Sequence, residues 1–241
     1  MDRYKKNRQA LQNLKKPKAI IFDWDNTLVD TWPLIQSAIN TTMKHYNREA
    51  WSLQKVIDNV HKSMRDYFPE IFGDNWQEAG EIYRNSYQQI NKSELQLLPY
   101  AEQLIKTISK KEIQQVIVSN KIGSTLRQEA KKLKVDEDFF SVIGAFDANY
   151  DKPDKSAVDL ALLGSNIDLS KDHLWFIGDT IADVECAYNS GCQPIIFGQA
   201  NQQISRSISE EVIDNGFKES GIIPIYFDHQ ELLEIIEKKI N

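Results

Sequence analysis

Four carboxylates, two hydroxyls and a lysine stand out in this chain because each directly follows a short apolar run or opens the helical stretch after one. They are Asp23, Asp25 and Thr27 in Asp23-Trp24-Asp25-Asn26-Thr27, the pair Ser119-Asn120, Lys152 in Lys152-Pro153, and Asp179 and Asp183 in Gly178-Asp179-Thr180-Ile181-Ala182-Asp183. Each piece has an ordinary structural use. An Asp after a strand caps a turn, and Thr180 with Asp183 could form a capping box at a helix start. Ser119-Asn120 is a common strand-to-loop pair, and a lysine such as Lys152 is commonly solvated. Taken together they are harder to explain that way. Four carboxylates converging on one crevice repel one another and cost stability without a cation. A bound Mg²⁺ beside a lysine relieves that repulsion, and an oxygen-only donor set suits Mg²⁺ better than a soft metal.

The elements that must bring these residues together follow from hydrophobic patterning. Apolar runs at 18–22, 115–118, 142–146, 173–177, 194–197 and 222–227 read as short buried strands. Helical patterns at 100–110, 124–134, 154–163, 181–190 and 229–240 separate most of them. This alternation predicts an α/β fold with a doubly wound, mostly parallel, Rossmann-like sheet, in which ligands sit beyond the carboxyl ends of the strands. One interval breaks the rhythm. Roughly 90 residues separate the first two strands, where a crossover needs about a dozen. The expected organisation is an N-terminal arm at 1–17, a core of 18–31 and 98–241, and an all-helical cap inserted at 32–97, whose many aromatic residues read as packing. The tail after Phe197 predicts a strand and a helix, with no chemical motif.

The segments Phe22–Thr31 (FDWDNTLVDT), Val116–Asn120 (VIVSN), Lys152–Leu162 (KPDKSAVDLAL) and Phe176–Gly191 (FIGDTIADVECAYNSG) resemble, in order and spacing, the haloacid dehalogenase-like (HAD) hydrolase superfamily. They are most similar to its phosphoglycolate phosphatase-like branch, which carries a helical cap after the first strand. The resemblance spans residues 18–198 and implies a role for each matching position. Asp23 is the implied nucleophile, forming an aspartyl-phosphate. Asp25 is the general acid and then the base. Thr27, Ser119 and backbone N–H groups near Asn120 hold the phosphoryl oxygens. Lys152 neutralises phosphate and nucleophile, with Lys155 as its competitor one turn into the helix. Asp179 holds Mg²⁺ with the Asp23 carboxylate and the Asp25 carbonyl, and Asp183 supports the metal directly or through water. Two positions depart from the pattern. Asn26 stands where glycine is common, and Asn tolerates left-handed backbone. Trp24 replaces a smaller apolar residue and is expected to pack away from the phosphate.

The implied activity is Mg²⁺-dependent hydrolysis of a small phosphorylated metabolite, phosphoglycolate being one candidate. A sugar phosphomutase keeps every motif and is the alternative within the enzyme class, and a non-catalytic binding module is the alternative outside it. Asp25 argues against dehalogenase and phosphonate chemistry, neither of which needs an acid there. In the cap, the polar and cationic stretch containing His61, Lys62 and Arg65 is a candidate specificity element, or else a solvated helix start. Composition narrows the setting. With 29 Lys and Arg against 35 Asp and Glu, the net charge of −6 argues against nucleic acid and anionic membrane surfaces as partners. Two cysteines make no disulfide scaffold, and no apolar run nears the roughly 18 residues of a membrane span. The basic N-terminus lacks a signal peptide's apolar stretch. The expectation is a cytoplasmic monomer or homodimer.

Overall fold

The computed structural model describes residues 2–60, 63–90, 95–111, 113–198 and 223–239. Six parallel strands form one sheet in the order β3-β2-β1-β4-β5-β6: β1 Ala19–Phe22, β2 Gln114–Ile122, β3 Ser141–Ala145, β4 Leu174–Gly178, β5 Gln193–Phe197 and β6 Ile225–Tyr226. The sheet is all parallel among the described residues, as the continuous apolar runs predict for strands covered on both faces. In β1 all four side chains are fully buried. They alternate between two cores, as the period of two requires. Ile20 and Phe22 join Leu104, Ile105 and Ile108 of helix α6 (Ala101–Lys110) on one face. Ala19 and Ile21 join Val158 of α8 (Ser156–Ala161) and Ala187 of α9 (Ile181–Asn189) on the other. Each of the larger side chains among these, Ile, Leu, Val and Phe, contributes on the order of 1.5–3 kcal/mol by burial.

Strand order runs outward from β1 in both directions, so the chain reverses at the β1/β4 boundary. A crevice opens beyond the carboxyl ends of the strands at such a reversal. The interval between β1 and β2 holds four helices before α6: α2 Trp32–His45, α3 Leu53–Asn59, α4 Met64–Phe72 and α5 Trp76–Gln89. In α2 the buried residues Leu34, Ile35, Ala38, Ile39, Thr42 and Met43 recur at helical spacing and make one stripe. Phe68 and Phe72 of α4 pack with Tyr83 of α5 and Tyr46 in a contiguous aromatic cluster. These rings are core, as their spacing predicts. Helix α7 (Gly123–Lys132) follows β2 directly.

The two ends of the chain meet on the β6 side. Helix α1 (Asp2–Asn13) buries Leu11, and the Asn7 side-chain amide pairs with both backbone groups of Ile225, covering part of the β6 edge. Helix α10 (His229–Lys239) then returns to the centre. His229 is fully buried, stacked at 4.5 Å on Phe197, and its Nε2–H donates to the Thr27 carbonyl at 2.8 Å. That bond assigns the tautomer, leaving Nδ1 to accept from the Tyr226 hydroxyl at 3.4 Å. The tail therefore buttresses the loop after β1, a role that its sequence does not announce. Among the described residues no helix is long and apolar enough to cross a membrane.

Burial lowers the His229 pKa to about 4, although the Thr27 carbonyl and Asp228 act the other way. Because the folded value lies below that of the unfolded chain, stability is full above about pH 6.5 and is lost as pH falls toward 4. Between pH 7.5 and 5.0, urea unfolding should show the wild-type protein losing roughly 2 kcal/mol more than His229→Gln. Parallel pH profiles for the two proteins would contradict a neutral buried imidazole.

Candidate active site

The loop after β1 carries the first acidic pair. Asp23 is buried at the end of the strand, its N–H donating to the Ile177 carbonyl of β4 at 2.8 Å. Asn26 adopts φ 57°, the left-handed region anticipated for this position. Its side chain does what glycine could not: Oδ1 accepts from the Thr31 and Trp32 N–H groups at 3.2 and 3.1 Å, capping the start of α2. Trp24 points away from the crevice, fully buried, and donates its indole N–H to Glu129 Oε2 at 2.8 Å.

Asp23, Asp179 and Asp183 place one carboxylate oxygen each within 4.8 Å of one another. Lys152 reaches between two of them, with Nζ 2.7 Å from Asp23 Oδ1 and 2.5 Å from Asp183 Oδ1. Thr180 donates to Asp183 Oδ2 from both its N–H, at 2.9 Å, and its hydroxyl, at 2.6 Å. The capping box is therefore formed through Oδ2, while Oδ1 faces Lys152. Gly178 is what permits the arrangement, since a Cβ at this position would overlap the Asp183 carboxylate. Lys155 lies outside, paired with Asp159 on the exposed side of α8.

Electrostatics follow from this crowding. Burial, less the opposing pull of Lys152, raises the Asp23 carboxyl to about 6, with Asp183 and Asp25 adding to the rise. Burial, with the charges of Asp23 and Asp183 beside it, raises Asp179 well above the usual carboxylate range. Burial opposes the charge on Lys152, but Asp183 and Asp23 outweigh it and hold the ammonium above the ordinary lysine value. Three carboxylates face one ammonium, and every donor is oxygen. The residues present fit a hard divalent cation such as Mg²⁺.

The remaining expected positions divide. Thr27 donates its hydroxyl to Asp179 Oδ1 at 3.1 Å. Ser119 lines the cavity, its Oγ accepting from the Lys121 N–H at 3.3 Å. The Asn120 side-chain amide donates to the Lys152 carbonyl at 3.1 Å, tying the β2 end to the lysine loop. The Asp25 carboxylate stands apart from the three-carboxylate group and meets Lys121 Nζ at 2.5 Å. His61 and Lys62 lie outside the described residues. Arg65 does not line the cavity. It makes two 2.5 Å bonds to the two oxygens of Asp151 and lies over the Phe146 ring, joining α4 to the loop before Lys152.

Lys121, Glu129 and Tyr87 are the residues that sequence reasoning missed. Lys121 Nζ meets Asp25, Glu129 Oε2 at 3.0 Å and the Tyr87 hydroxyl at 3.0 Å, and that hydroxyl donates to Glu129 Oε1 at 2.9 Å. Burial disfavours the Lys121 charge, but Asp25, Tyr87 and Glu129 outweigh it and raise its pKa well above the usual value. A signal did exist. Lys121 lies two residues after Ser119 at the end of β2, and Glu129 occupies the buried stripe of α7 beside Leu126 and Ala130.

Fold and crevice together define an α/β protein with a helical insertion beside an acidic group at the carboxyl ends of its strands. The chain belongs to the haloacid dehalogenase-like hydrolase family, whose sequence profile matches residues 20–197. It is 23% identical over 180 residues to the pyrophosphatase PpaX of Bacillus mycoides, covering 75% of this chain and 83% of that protein. It is 26% identical over 209 residues to a phosphoglycolate phosphatase of Pseudomonas savastanoi, covering 82% and 75% respectively. Among solved structures, a HAD-superfamily hydrolase from Ehrlichia chaffeensis superposes with a TM-score of 0.63 at 29% identity, covering 95% of this chain and all of that one. A hydrolase from Pseudomonas syringae shares the fold with a TM-score of 0.72 at 20% identity, covering 91% and 98%.

The carboxylate cluster makes a direct prediction. At Mg²⁺ concentrations ten times the dissociation constant, binding should add about 1.4 kcal/mol, a rise of roughly 3–5 °C in melting temperature. Asp179→Asn should remove that rise by deleting a ligand charge, and Gly178→Ala should remove it by displacing Asp183. Differential scanning fluorimetry with and without the cation checks both.

Proposed function

We propose that this protein is a Mg²⁺-dependent phosphatase that hydrolyses a small phosphorylated metabolite through an aspartyl-phosphate on Asp23. The observation that carries the reading is the buried Asp23–Lys152 pair at 2.7 Å, opening on the same cavity as Asp25. Lys152 keeps Asp23 in the carboxylate form that attack on phosphorus requires, and it offsets the charge of the incoming phosphoryl group. Ser119, with its hydroxyl in the cavity, and backbone N–H groups beside Asn120 orient the phosphoryl oxygens. Thr27, tied to Asp179, steadies the loop that carries both Asp23 and Asp25.

In the first half-reaction the Asp23 oxygen forms its bond to phosphorus as the ester P–O bond breaks, and Asp25 gives a proton to the departing alkoxide. In the second, Asp25 takes a proton from the water that attacks the same phosphorus, releasing phosphate and restoring Asp23. Lys121, bound to Asp25 and anchored by Glu129, fixes the direction in which the Asp25 carboxyl faces. Asp23, Asp179, Asp183 and the Asp25 carbonyl would hold Mg²⁺, which supplies positive charge to the phosphoryl oxygens when bound. The inserted helices form the cap that shields the cavity from bulk water. Relatives named for phosphoglycolate and pyrophosphate make those two compounds the first esters and anhydrides to test.

With Mg²⁺, the protein should release phosphate from at least one member of a panel of small phosphate esters, and excess chelator should abolish the release. Asp23→Asn should eliminate turnover while retaining the wild-type circular dichroism spectrum. Asp25→Asn should slow turnover by about 10²–10⁴-fold, and less for p-nitrophenyl phosphate, whose leaving group needs no acid. Turnover by Asp23→Asn at the wild-type rate would refute the covalent route.

A further inference from the structure

The two edges of the sheet are finished differently. On the β6 side, α1 covers part of the edge and Asn7 takes both backbone groups of Ile225. On the other side β3 pairs with β2 alone, and among the described residues no strand meets its outer edge. Proteins protect such edges with charges, prolines or a covering element. The strand Ser141-Val142-Ile143-Gly144-Ala145 has neither a charge nor a proline. Its first three residues are half-buried, whereas β1 is buried throughout.

Exposed apolar side chains gather at the same edge. Of the six large hydrophobic residues exposed among the described residues, Phe140, Phe146, Tyr150 and Leu163 stand here, 47–75% exposed. Phe140 immediately precedes β3, Phe146 immediately follows it, and Tyr150 lies in the loop from β3 to α8. Leu163 follows α8 near the start of β3, where the Ser141 hydroxyl donates to the Ala161 carbonyl at 2.6 Å. The backbone is set for pairing as well. Phe140 turns its N–H toward β2, donating to the Gln115 carbonyl at 2.7 Å. Strand alternation then directs the N–H and C=O groups of Ser141, Ile143 and Ala145 outward.

We infer that β3 pairs with β3 of a second copy of this chain, antiparallel across a two-fold axis at Ile143, joining the two sheets into one. The strand is self-complementary in that register. Ile143 stands opposite itself, Ser141 opposite Ala145 and Phe140 opposite Phe146, so the outward groups form about six main-chain hydrogen bonds and the two exposed phenylalanines meet across the axis. The four side chains expose roughly 450 Å² per copy, and with the strand backbone a pair buries on the order of 1,200 Å², the lower limit of a specific interface. That area suits a reversible dimer. Arg65 lies over the Phe146 ring at 4.3 Å and grips Asp151, so the dimer also braces the contact between α4 and the loop before Lys152.

Sedimentation velocity across roughly 1–300 µM should show monomer giving way to dimer, with a dissociation constant on the order of 10 µM. Phe140→Lys combined with Leu163→Lys should weaken the dimer by at least about 100-fold, because a charge on an open edge opposes pairing. Both side chains are exposed, so the melting temperature of this variant should match the wild type. The register is read by cross-linking with oxidised glutathione, which the buried Cys186 and Cys192 leave interpretable. Ile143→Cys should form a disulfide between copies, since it faces itself within disulfide reach, and Val142→Cys, set opposite Gly144, should not. A protein that stays monomeric over the whole concentration range would overturn the inference. So would a dimer that survives the double lysine variant and cross-links at neither position.

Discussion

The arrangement of this molecule turns on one electrostatic constraint: three carboxylates, Asp23 and Asp183 buried and Asp179 half-buried, place an oxygen each within 4.8 Å of one another around a single ammonium. Such a group is costly to bury, because desolvation and like-charge repulsion act together on Asp23 and Asp179. It persists because rigid elements impose it. Asp23 ends the fully buried strand β1, Asp179 and Asp183 stand at the end of β4 and the first turn of α9, and β1 and β4 pair directly. The misfit that this geometry leaves, an excess of negative charge on oxygen donors only, is the kind a bound divalent cation such as Mg²⁺ removes.

A second buried charge network sits beside the first and serves a different end. Lys121, Glu129, Tyr87 and the Trp24 indole satisfy one another almost completely, and Asp25 is the member of this group that also opens on the cavity. Fully satisfied polar networks of this kind rigidify what they hold. Tyr87 comes from the inserted helices, Glu129 from α7 and Lys121 from β2, so the orientation of Asp25 depends on three elements at once. Two neighbouring carboxylates of one loop are thereby given different environments. Asp23 faces Lys152 and the acidic group, and Asp25 faces Lys121 and the cavity beneath the inserted helices. That separation would let the proposed nucleophile and proton donor work two residues apart.

The inserted helices and the tail meet the same loop from opposite sides. Asn26 caps α2 while holding the left-handed turn between Asp25 and Thr27, and Arg65 ties α4 to a second loop, the one just before Lys152. From behind, His229 holds the Thr27 carbonyl. Each contact is modest alone, but together they remove the freedom of a loop whose side chains must stay within a few tenths of an ångström.

Much of this was written in local sequence. Short continuous apolar runs specify buried parallel strands whatever surrounds them. The placement of Asp23, Ser119, Lys152 and Asp179 at or just past the ends of such runs specifies one crevice, because parallel strands present their carboxyl ends together. Asn26 and Trp24 were also legible, one from its tolerance of left-handed backbone and the other from its size. What could not be read was any pairing across the fold. Lys121 looks like a solvated lysine, Glu129 like a surface glutamate and His229 like a helix-start residue until the sheet, α7 and the tail are brought together. Arg65 and Arg84 are two cap arginines with no local mark to separate them, and only the structure sets one against Asp151 and leaves the other open to the cavity. The physical reason is the same in each case. Backbone preference acts over a few residues, whereas the partner of a buried charge is chosen by packing between elements scores of residues apart.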